Sequence, residues 1–226
     1  MIIGGFQKFS LIDYPGKICA VVFTQGCNFR CPYCHNPELV NPCLFQKPVP
    51  EKEIIGFLEK RNGMLEGITV TGGEPLLQEN IFAFLKIVKK RGYFIKLDTN
   101  GSFPERLERI IKEKLVDYIA MDVKASPEKY ALIAGACVNL ENITRSIKII
   151  MHSNLDYHFR TTMAKSFLGL EDIKQICGLI NGARNYILQK FVPVHKAASD
   201  SLSGKAEYSD PEIQQYQDIS TRLIRA

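Results

Sequence analysis

Three cysteines and a histidine lie within nine residues of one another in the segment QGCNFRCPYCHNPE, residues 25–38. Cys27, Cys31 and Cys34 have the spacing C-x3-C-x2-C, and His35 follows directly. Cysteine thiolates bind zinc and iron–sulfur clusters and also carry out redox chemistry. Four kinds of site therefore remain open: a zinc site, a c-type haem attachment, a redox dithiol and an iron–sulfur cluster.

The four kinds of site differ in what else they need. A structural zinc site takes four ligands, and the fourth would be Cys43 or His35, which is awkward because His35 adjoins Cys34. The run from Cys31 to His35 also fits the C-x-x-C-H of covalent haem attachment, but no signal peptide is predicted at the N-terminus. A dithiol would leave Cys27 unused. The loop alone favours an iron–sulfur cluster and keeps zinc as the alternative.

A three-cysteine loop has a specific consequence for a [4Fe–4S] cluster. Three thiolates leave one of its four irons without a protein ligand. That open iron can bind an amine and a carboxylate together, and S-adenosylmethionine (SAM) carries both groups. Transfer of one electron from the cluster would then break a carbon–sulfur bond of SAM and give a 5′-deoxyadenosyl radical, which can take a hydrogen atom from a strong C–H bond.

The composition is that of an ordinary globular domain. The chain has 226 residues, of which 46% are hydrophobic and 23% charged, with a formal net charge of +5. This mild, interspersed charge does not predict nucleic-acid binding. No apolar run approaches the roughly 18 residues that a membrane helix needs, so no membrane association is expected. Seven cysteines without an export signal indicate a reducing, cytoplasmic location in which they are thiols or ligands.

Apolar runs of strand length alternate with amphipathic helical patterns along the whole chain. The predicted strands are 18–24, 67–71, 93–99, 117–123, 157–163 and 186–191, and the predicted helices are 51–61, 79–92, 104–115, 139–153, 169–182 and 210–226. This order predicts an α/β fold with a parallel sheet, either doubly wound or a partial barrel. Nearly every strand ends in a turn that carries reactive side chains, and barrels collect such turns at one rim. We therefore predict a partial (β/α)6 TIM-like barrel.

The domain prediction is a single domain over residues 1–226. Residues 1–17 are expected to form an N-terminal extension, and residues 193–212 a long loop that acts as a lid. Six units instead of eight would leave the barrel splayed along one side, which would admit a large substrate.

Several motifs resemble those of a known family. The C-x3-C-x2-C spacing after the first predicted strand resembles the signature of radical SAM enzymes, and TGGEP at 71–75 resembles the family's GGE motif. The runs CNFRCPYCHNPELV, GGEPLLQ, LDTNG and MDVKA resemble activating enzymes of glycyl-radical proteins. The opening GFQKFSLIDYPGK and the runs FRTTM and YILQKF are similar, more narrowly, to anaerobic ribonucleoside-triphosphate reductase activating proteins.

This resemblance implies a role for individual residues. Cys27, Cys31 and Cys34 are the expected ligands of a [4Fe–4S] cluster with one open iron. The residues expected to contact SAM are Tyr33, His35, Gly72, Gly73, Glu74, Asp98, Thr99, Asp122, Lys124, Arg160 and Gln189. The GGE residues would hold the amino group of SAM, because glycines let the backbone approach a ligand and a carboxylate accepts an ammonium.

Further roles concern the charged groups among these residues. Lys124 and Arg160 would contact the SAM carboxylate, while Asp98 and Asp122 would hold a monovalent cation or the ribose. Tyr33 would contact the adenine, and Gln189 would line its pocket.

The expected reaction is removal of a hydrogen atom from a glycine Cα of a partner enzyme. The resemblance points to anaerobic ribonucleotide reductase as that partner, and to flavodoxin or ferredoxin as the electron donor. Two other radical SAM functions stay open: an activase of the pyruvate formate-lyase type, and a compact enzyme acting on a small molecule, of the 7-carboxy-7-deazaguanine synthase type. A zinc-binding module is the alternative from a different class.

Overall fold

All six predicted strands are present, each boundary within one residue of its prediction, and a seventh strand precedes them. The computed structural model describes residues 1–192 and 207–225. Its strands are β1 (Ile3–Ser10), β2 (Cys19–Thr24), β3 (Gly67–Gly72), β4 (Phe94–Thr99), β5 (Tyr118–Asp122), β6 (Asp156–Met163) and β7 (Tyr186–Lys190). Strand β1 lies in the segment predicted as an extension, and it pairs antiparallel with β2.

All six predicted helices are present, and two short helices are added. The helices are α1 (Pro37–Val40), α2 (Glu51–Lys60), α3 (Ile81–Lys89), α4 (Pro104–Lys112), α5 (Tyr130–Ala134), α6 (Leu140–Met151), α7 (Leu170–Leu179) and α8 (Asp210–Leu223). The two short helices that were not predicted are α1 and α5. Within the described residues, no helix is both long enough and apolar enough to cross a bilayer. Residues 193–206 of the predicted long loop lie outside the described residues. Ser209 ends the remainder of that segment as the N-cap of α8, where it forms a capping box with Glu212.

The strand order identifies the sheet as part of a barrel. The seven strands lie side by side in chain order, and β2 to β7 are all parallel. A doubly wound sheet would reverse its order at a switch point, whereas this order continues in one direction. Each right-handed crossover therefore places its helix on the same face. The partial (β/α)6 barrel is confirmed for strands β2 to β7. Strand β1 is added antiparallel to β2 at one edge, and β7 forms the other edge.

The two faces of the sheet differ because side chains alternate along each strand. The outer face is apolar: Val22, Ile68, Leu97, Ile119 and Phe159 are fully buried in one cluster with the helices. Burial of each such side chain contributes about 1.5–3 kcal/mol, so this layer supplies most of the cohesion between strands and helices. The inner face carries most of the polar groups of the strands, and it holds the site.

The N-terminal motif SLIDYPGK closes the barrel at the end where the parallel strands begin. Tyr14 is buried with its ring centroid 5.8 Å from that of Tyr118. Its ring packs so closely over Gly67, the first residue of β3, that a Cβ there would lie 3.2 Å from it. The hydroxyl of Thr69 donates to the carbonyl of Asp13 at 3.1 Å. This segment therefore plugs the end opposite the cysteine loop.

Candidate active site

The cysteine loop follows β2 and is fixed by backbone bonds to two helices. The amide of Gly26 donates to the carbonyl of Leu39 in α1 at 2.7 Å, and the amide of Arg30 donates to the carbonyl of Ala134 in α5 at 2.7 Å. Phe29 is buried beneath the loop. These contacts hold the loop across the rim at the carboxyl ends of the strands.

Cys27, Cys31 and Cys34 are free, half-buried and line one cavity at this rim. Burial raises the pKa of the Cys27 thiol to about 12 and raises the pKa of the other two thiols as well. A metal centre would have to displace these protons in order to bind. Within residues 1–192 and 207–225, no three His, Cys, Asp or Glu side chains converge on a single ion. A cluster presents separate irons to separate thiolates, so it fits three cysteines that share a cavity in this way.

The two glycines after β3 bring a second backbone segment against the cysteine loop. Gly72 has φ +107°, which favours glycine. The amide of Gly73 donates to the carbonyl of Thr24 at 2.8 Å, and the amide of Glu74 donates to the carbonyl of Gly26 at 2.8 Å. A Cβ on Gly73 would lie 2.0 Å from the Gly26 carbonyl oxygen. Only glycine permits this approach, which places the backbone of 72–73 in the cavity wall.

Glu74 lies apart from the cavity, although the sequence analysis placed it against SAM. Its side chain is fully buried, and it is absent from the residues that line the cavity. Its carboxylate accepts hydrogen bonds from the amide of Leu76 at 2.9 Å, the hydroxyl of Thr99 at 2.8 Å and the amide of Asn100 at 2.7 Å. Burial raises its pKa to about 7, against the lowering effect of these donors. In this geometry Glu74 ties the turn after β3 to the turn after β4.

Five charged side chains, four on β4, β5 and β6 and one just after β5, form a row of alternating sign. Its members in order are Lys96, Asp98, Arg160, Asp122 and Lys124. The guanidinium of Arg160 bridges the two aspartates: its Nη2 lies 3.2 Å from Oδ2 of Asp98, and its Nε pairs with Oδ1 of Asp122. Lys124 Nζ lies 2.8 Å from Asp122 Oδ2. The sheet register creates this bridge by setting Asp122 opposite Arg160.

The pKa values of Asp98, Asp122, Lys124 and Arg160 are all shifted in the direction that keeps these four groups ionised at neutral pH. Burial alone would raise the pKa of Asp98 and of Asp122, but Arg160 with the adjacent lysines holds the pKa of both carboxyls below its usual range. Burial would likewise lower the pKa of Lys124 and Arg160, and the carboxylates raise both well above their ordinary values. With Lys96 counted, three basic side chains face two carboxylates, and this balance favours a carboxylate group of a ligand.

Aromatic rings form the side of the cavity beyond Lys124. Tyr33 is almost fully buried and donates weakly to the carbonyl of Lys124 at 3.4 Å. Its ring centroid lies 6.1 Å from that of Phe191, and the exposed His35 ring lies 5.6 Å from the same phenyl ring. Gln189 of β7 completes this side. Such a wall offers flat apolar faces for a heteroaromatic ring.

The structure brings together all but one of the predicted site residues, Glu74 being the exception. Asn36, which the sequence offers as a further contact beside His35, also lines the cavity. The structure adds residues without a predicted role: Phe29, Val40, Thr71, Asn100 and Thr162 line the cavity, and Lys96 stands beneath it. The side-chain nitrogen Nδ2 of Asn100 lies 3.9 Å from Sγ of Cys27. The sequence feature that could have indicated a role for Lys96 is its position two residues before Asp98. Residues at this spacing in a strand lie on the same face of the sheet.

Comparison with known proteins gives the family of the chain. Residues 21–214 match the Radical SAM superfamily. A Methanocaldococcus jannaschii protein named for glycyl-radical enzyme activation is 34% identical over 197 residues, covering 85% of this chain and 80% of that protein. The pyruvate formate-lyase-activating enzyme of Clostridium pasteurianum is 29% identical over 199 residues, covering 85% of this chain and 82% of that enzyme. The chain therefore belongs to the radical SAM superfamily, within its glycyl-radical enzyme activating family.

Solved structures share the fold at much lower identity. Streptococcus suis SuiB bound to S-adenosylmethionine superposes with a TM-score of 0.67 at 15% identity, covering 90% of this chain and 47% of that one. TYW1 with a lysine–pyruvate adduct superposes with a TM-score of 0.65 at 14% identity, covering 90% and 73%. Family membership makes the chain an enzyme and implies a [4Fe–4S] cluster and SAM, so the zinc alternative is not carried further.

Proposed function

We propose that this enzyme activates a partner by generating a radical on a glycine of that partner's backbone. The observation that carries the proposal is the convergence of three thiols, a glycine turn and four members of the charged row, Asp98, Arg160, Asp122 and Lys124, on one cavity. When bound there, the cluster and SAM supply an electron transfer and a 5′-deoxyadenosyl radical. Cys27, Cys31 and Cys34 hold the cluster, and the protein supplies orientation and an enclosed site.

The charged row orients the amino-acid end of SAM. Lys124 and Arg160 line the cavity with partly exposed side chains, and they donate to the SAM carboxylate in this proposal. Hydrogen bonds to charged groups contribute about 1.5–3 kcal/mol each. The backbone of Gly72 and Gly73 receives the ammonium group, and their carbonyl oxygens are the acceptors. Glu74 acts indirectly by holding this turn in place.

The aromatic side of the cavity receives the other end of SAM. Tyr33, His35 and Gln189 border the adenine, with Phe191 packed behind Tyr33 and His35. Thr99 stands at the end of β4, within the cavity wall, and contacts the ribose. SAM then spans the rim from the glycine turn to the end of β7.

The open edge of the barrel supports a protein loop as the substrate. Among the described residues β1 and β7 remain unpaired with each other, so the rim is not closed by further strands on that side. A glycine-bearing loop of a partner enzyme would enter there. The named activities of the relatives support a glycyl-radical enzyme, and the motifs GFQKFSLIDYPGK, FRTTM and YILQKF support anaerobic ribonucleoside-triphosphate reductase in particular. Flavodoxin or ferredoxin is the proposed electron donor.

Pyruvate formate-lyase is the second candidate partner because the Clostridium pasteurianum relative carries that name. The deciding experiment mixes anaerobically reconstituted, reduced enzyme and SAM with each candidate partner and records the glycyl-radical EPR signal. We expect the signal on the reductase. A signal on pyruvate formate-lyase alone would show that pyruvate formate-lyase, and not the reductase, is the partner. Radical formation on neither, with 5′-deoxyadenosine still produced, would favour a small-molecule substrate.

Matched cysteine variants provide the control. Cys31→Ala is expected to abolish iron binding and radical formation together. Cys43→Ala removes an exposed cysteine outside the cavity and should leave both unchanged. Equal iron content in the two variants would contradict the assignment of the cluster ligands.

A further inference from the structure

Lys96 is a charged residue that the proposed function does not use. Its side chain is 4% exposed, and its place in the register, opposite Thr69 on β3 and Tyr118 on β5, sets it deeper in the barrel than Asp98. A buried ammonium is costly unless it is paired. Its partner is Oδ1 of Asp98, so the lysine approaches from below the same carboxylate that Arg160 approaches from the side.

The carboxylate oxygens of the row are all engaged. On Asp98, Oδ1 accepts from Lys96, while Oδ2 accepts from the hydroxyl of Thr71 at 3.1 Å and from Arg160 at 3.2 Å. On Asp122, Oδ1 accepts from Arg160 and Oδ2 from Lys124 at 2.8 Å. A bound alkali cation would need several of these oxygens. It would also meet three positive groups already in place.

We propose that Lys96 is a positioning residue whose ammonium takes the place of a bound monovalent cation beside Asp98. This replaces the expectation, drawn from the sequence, that Asp98 and Asp122 hold such a cation. Without Lys96 the row would have two cations and two anions, and Arg160 would be drawn further toward Asp98. With it, the row keeps one formal net positive charge, which favours the carboxylate group of a ligand. The consequence for SAM rests on the proposed function, whereas the pairing itself does not.

The first test uses the protein without cluster or SAM. Thermal unfolding is followed in equal concentrations of sodium, potassium and tetramethylammonium chloride, because the last ion is too large to enter the row. Wild type should unfold at the same temperature in all three. Lys96→Met leaves Asp98 short of a cation, so its midpoint should fall by roughly 6–20 °C in tetramethylammonium and recover partly in sodium or potassium. Lys174→Met, which breaks an exposed pair with Glu171, is the control and should change little.

A second measurement covers the case in which Lys96→Met does not fold. The ²³Na NMR line of wild-type protein should show no saturable broadening that potassium displaces. Such broadening, or a wild-type midpoint that requires sodium or potassium, would overturn the proposal.

SAM binding is measured separately, on the cluster-loaded enzyme. Its affinity for SAM by equilibrium dialysis should be the same in the three salts, and a dependence on sodium or potassium would overturn the proposal. Failure to bind SAM in any salt would contradict the proposed function, while the result for the cluster-free protein would still decide the role of Lys96.

Discussion

Gly73→Ala is the substitution whose effect the structure defines most closely. The added Cβ would lie 2.0 Å from the carbonyl oxygen and 2.6 Å from the carbonyl carbon of Gly26. Both are backbone atoms, so no side-chain rotation relieves the overlap. An unstrained contact needs about 3.5 Å, which means that the turn after β3 and the cysteine loop must separate by about 1.5 Å.

That separation breaks the two backbone bonds that join the segments, from Gly73 to Thr24 and from Glu74 to Gly26. Each bond contributes about 0.5–1.5 kcal/mol, and residual overpacking costs about 1–3 kcal/mol. We expect a loss of roughly 2–6 kcal/mol in the free energy of unfolding, measured with urea on the cluster-free protein under reducing conditions. Such a loss is a large part of the 5–15 kcal/mol typical of a domain.

Gly56→Ala is the matched control. Gly56 lies in the interior of α2 with no atom within 4 Å of the position of its Cβ, so alanine there should stabilise the protein by about 0.4–1 kcal/mol. Iron content after reconstitution provides a second measurement, because a displaced cysteine loop should hold less iron. If Gly73→Ala unfolds within about 0.5 kcal/mol of wild type and retains full iron, the close approach of the two loops is not a requirement of the site.

Three further predictions concern the cavity and the buried turn beside it. The folded-state pKa of Glu74, about 7, exceeds its ordinary value of 4.5, so its stabilising contribution is present below pH 4.5 and is lost as the pH rises through 7. Urea titrations at several pH values should show this fall, up to about 3 kcal/mol, and its persistence in Glu74→Gln would refute the assignment. Arg160→Met should weaken SAM binding about 10- to 150-fold in equilibrium dialysis, whereas Arg145→Met, which breaks an exposed pair, should not. Tyr33→Leu should raise the KM for SAM more than it lowers kcat, since it removes the ring beside Phe191; an unchanged KM would exclude Tyr33 from the adenine pocket.

The strands of the barrel could be predicted because each is an apolar run that ends in a polar turn. Strand β1 lacks that pattern: it contains Gly4 and Gly5, and only Ile3 and Ser10 at its ends are buried. An edge strand that pairs on one side and faces solvent along much of its length leaves little periodicity to read. Its formation depends on β2, which lies beyond an intervening loop.

The site residues could be located singly, but their pairing could not. The motifs predict Asp122 and Arg160 singly as SAM contacts, yet the bridge between them depends on the register of β5 against β6. The direction of the Glu74 side chain likewise depends on donors at Thr99 and Asn100, from the turn after the next strand. The sequence gives no sign of a role for Lys96, because the partner of a lysine inside a strand is fixed only when the strands are paired.

The central claim is that a radical formed in this cavity takes a hydrogen atom from a glycine of a partner enzyme. The most direct measurement uses anaerobic ribonucleoside-triphosphate reductase carrying glycine deuterated at Cα, with reconstituted enzyme, reductant and unlabelled SAM. The account predicts one deuterium in the 5′-deoxyadenosine product by mass spectrometry, together with a glycyl-radical EPR signal on the reductase. Product without deuterium, formed at the same rate in the absence of the reductase, would contradict it.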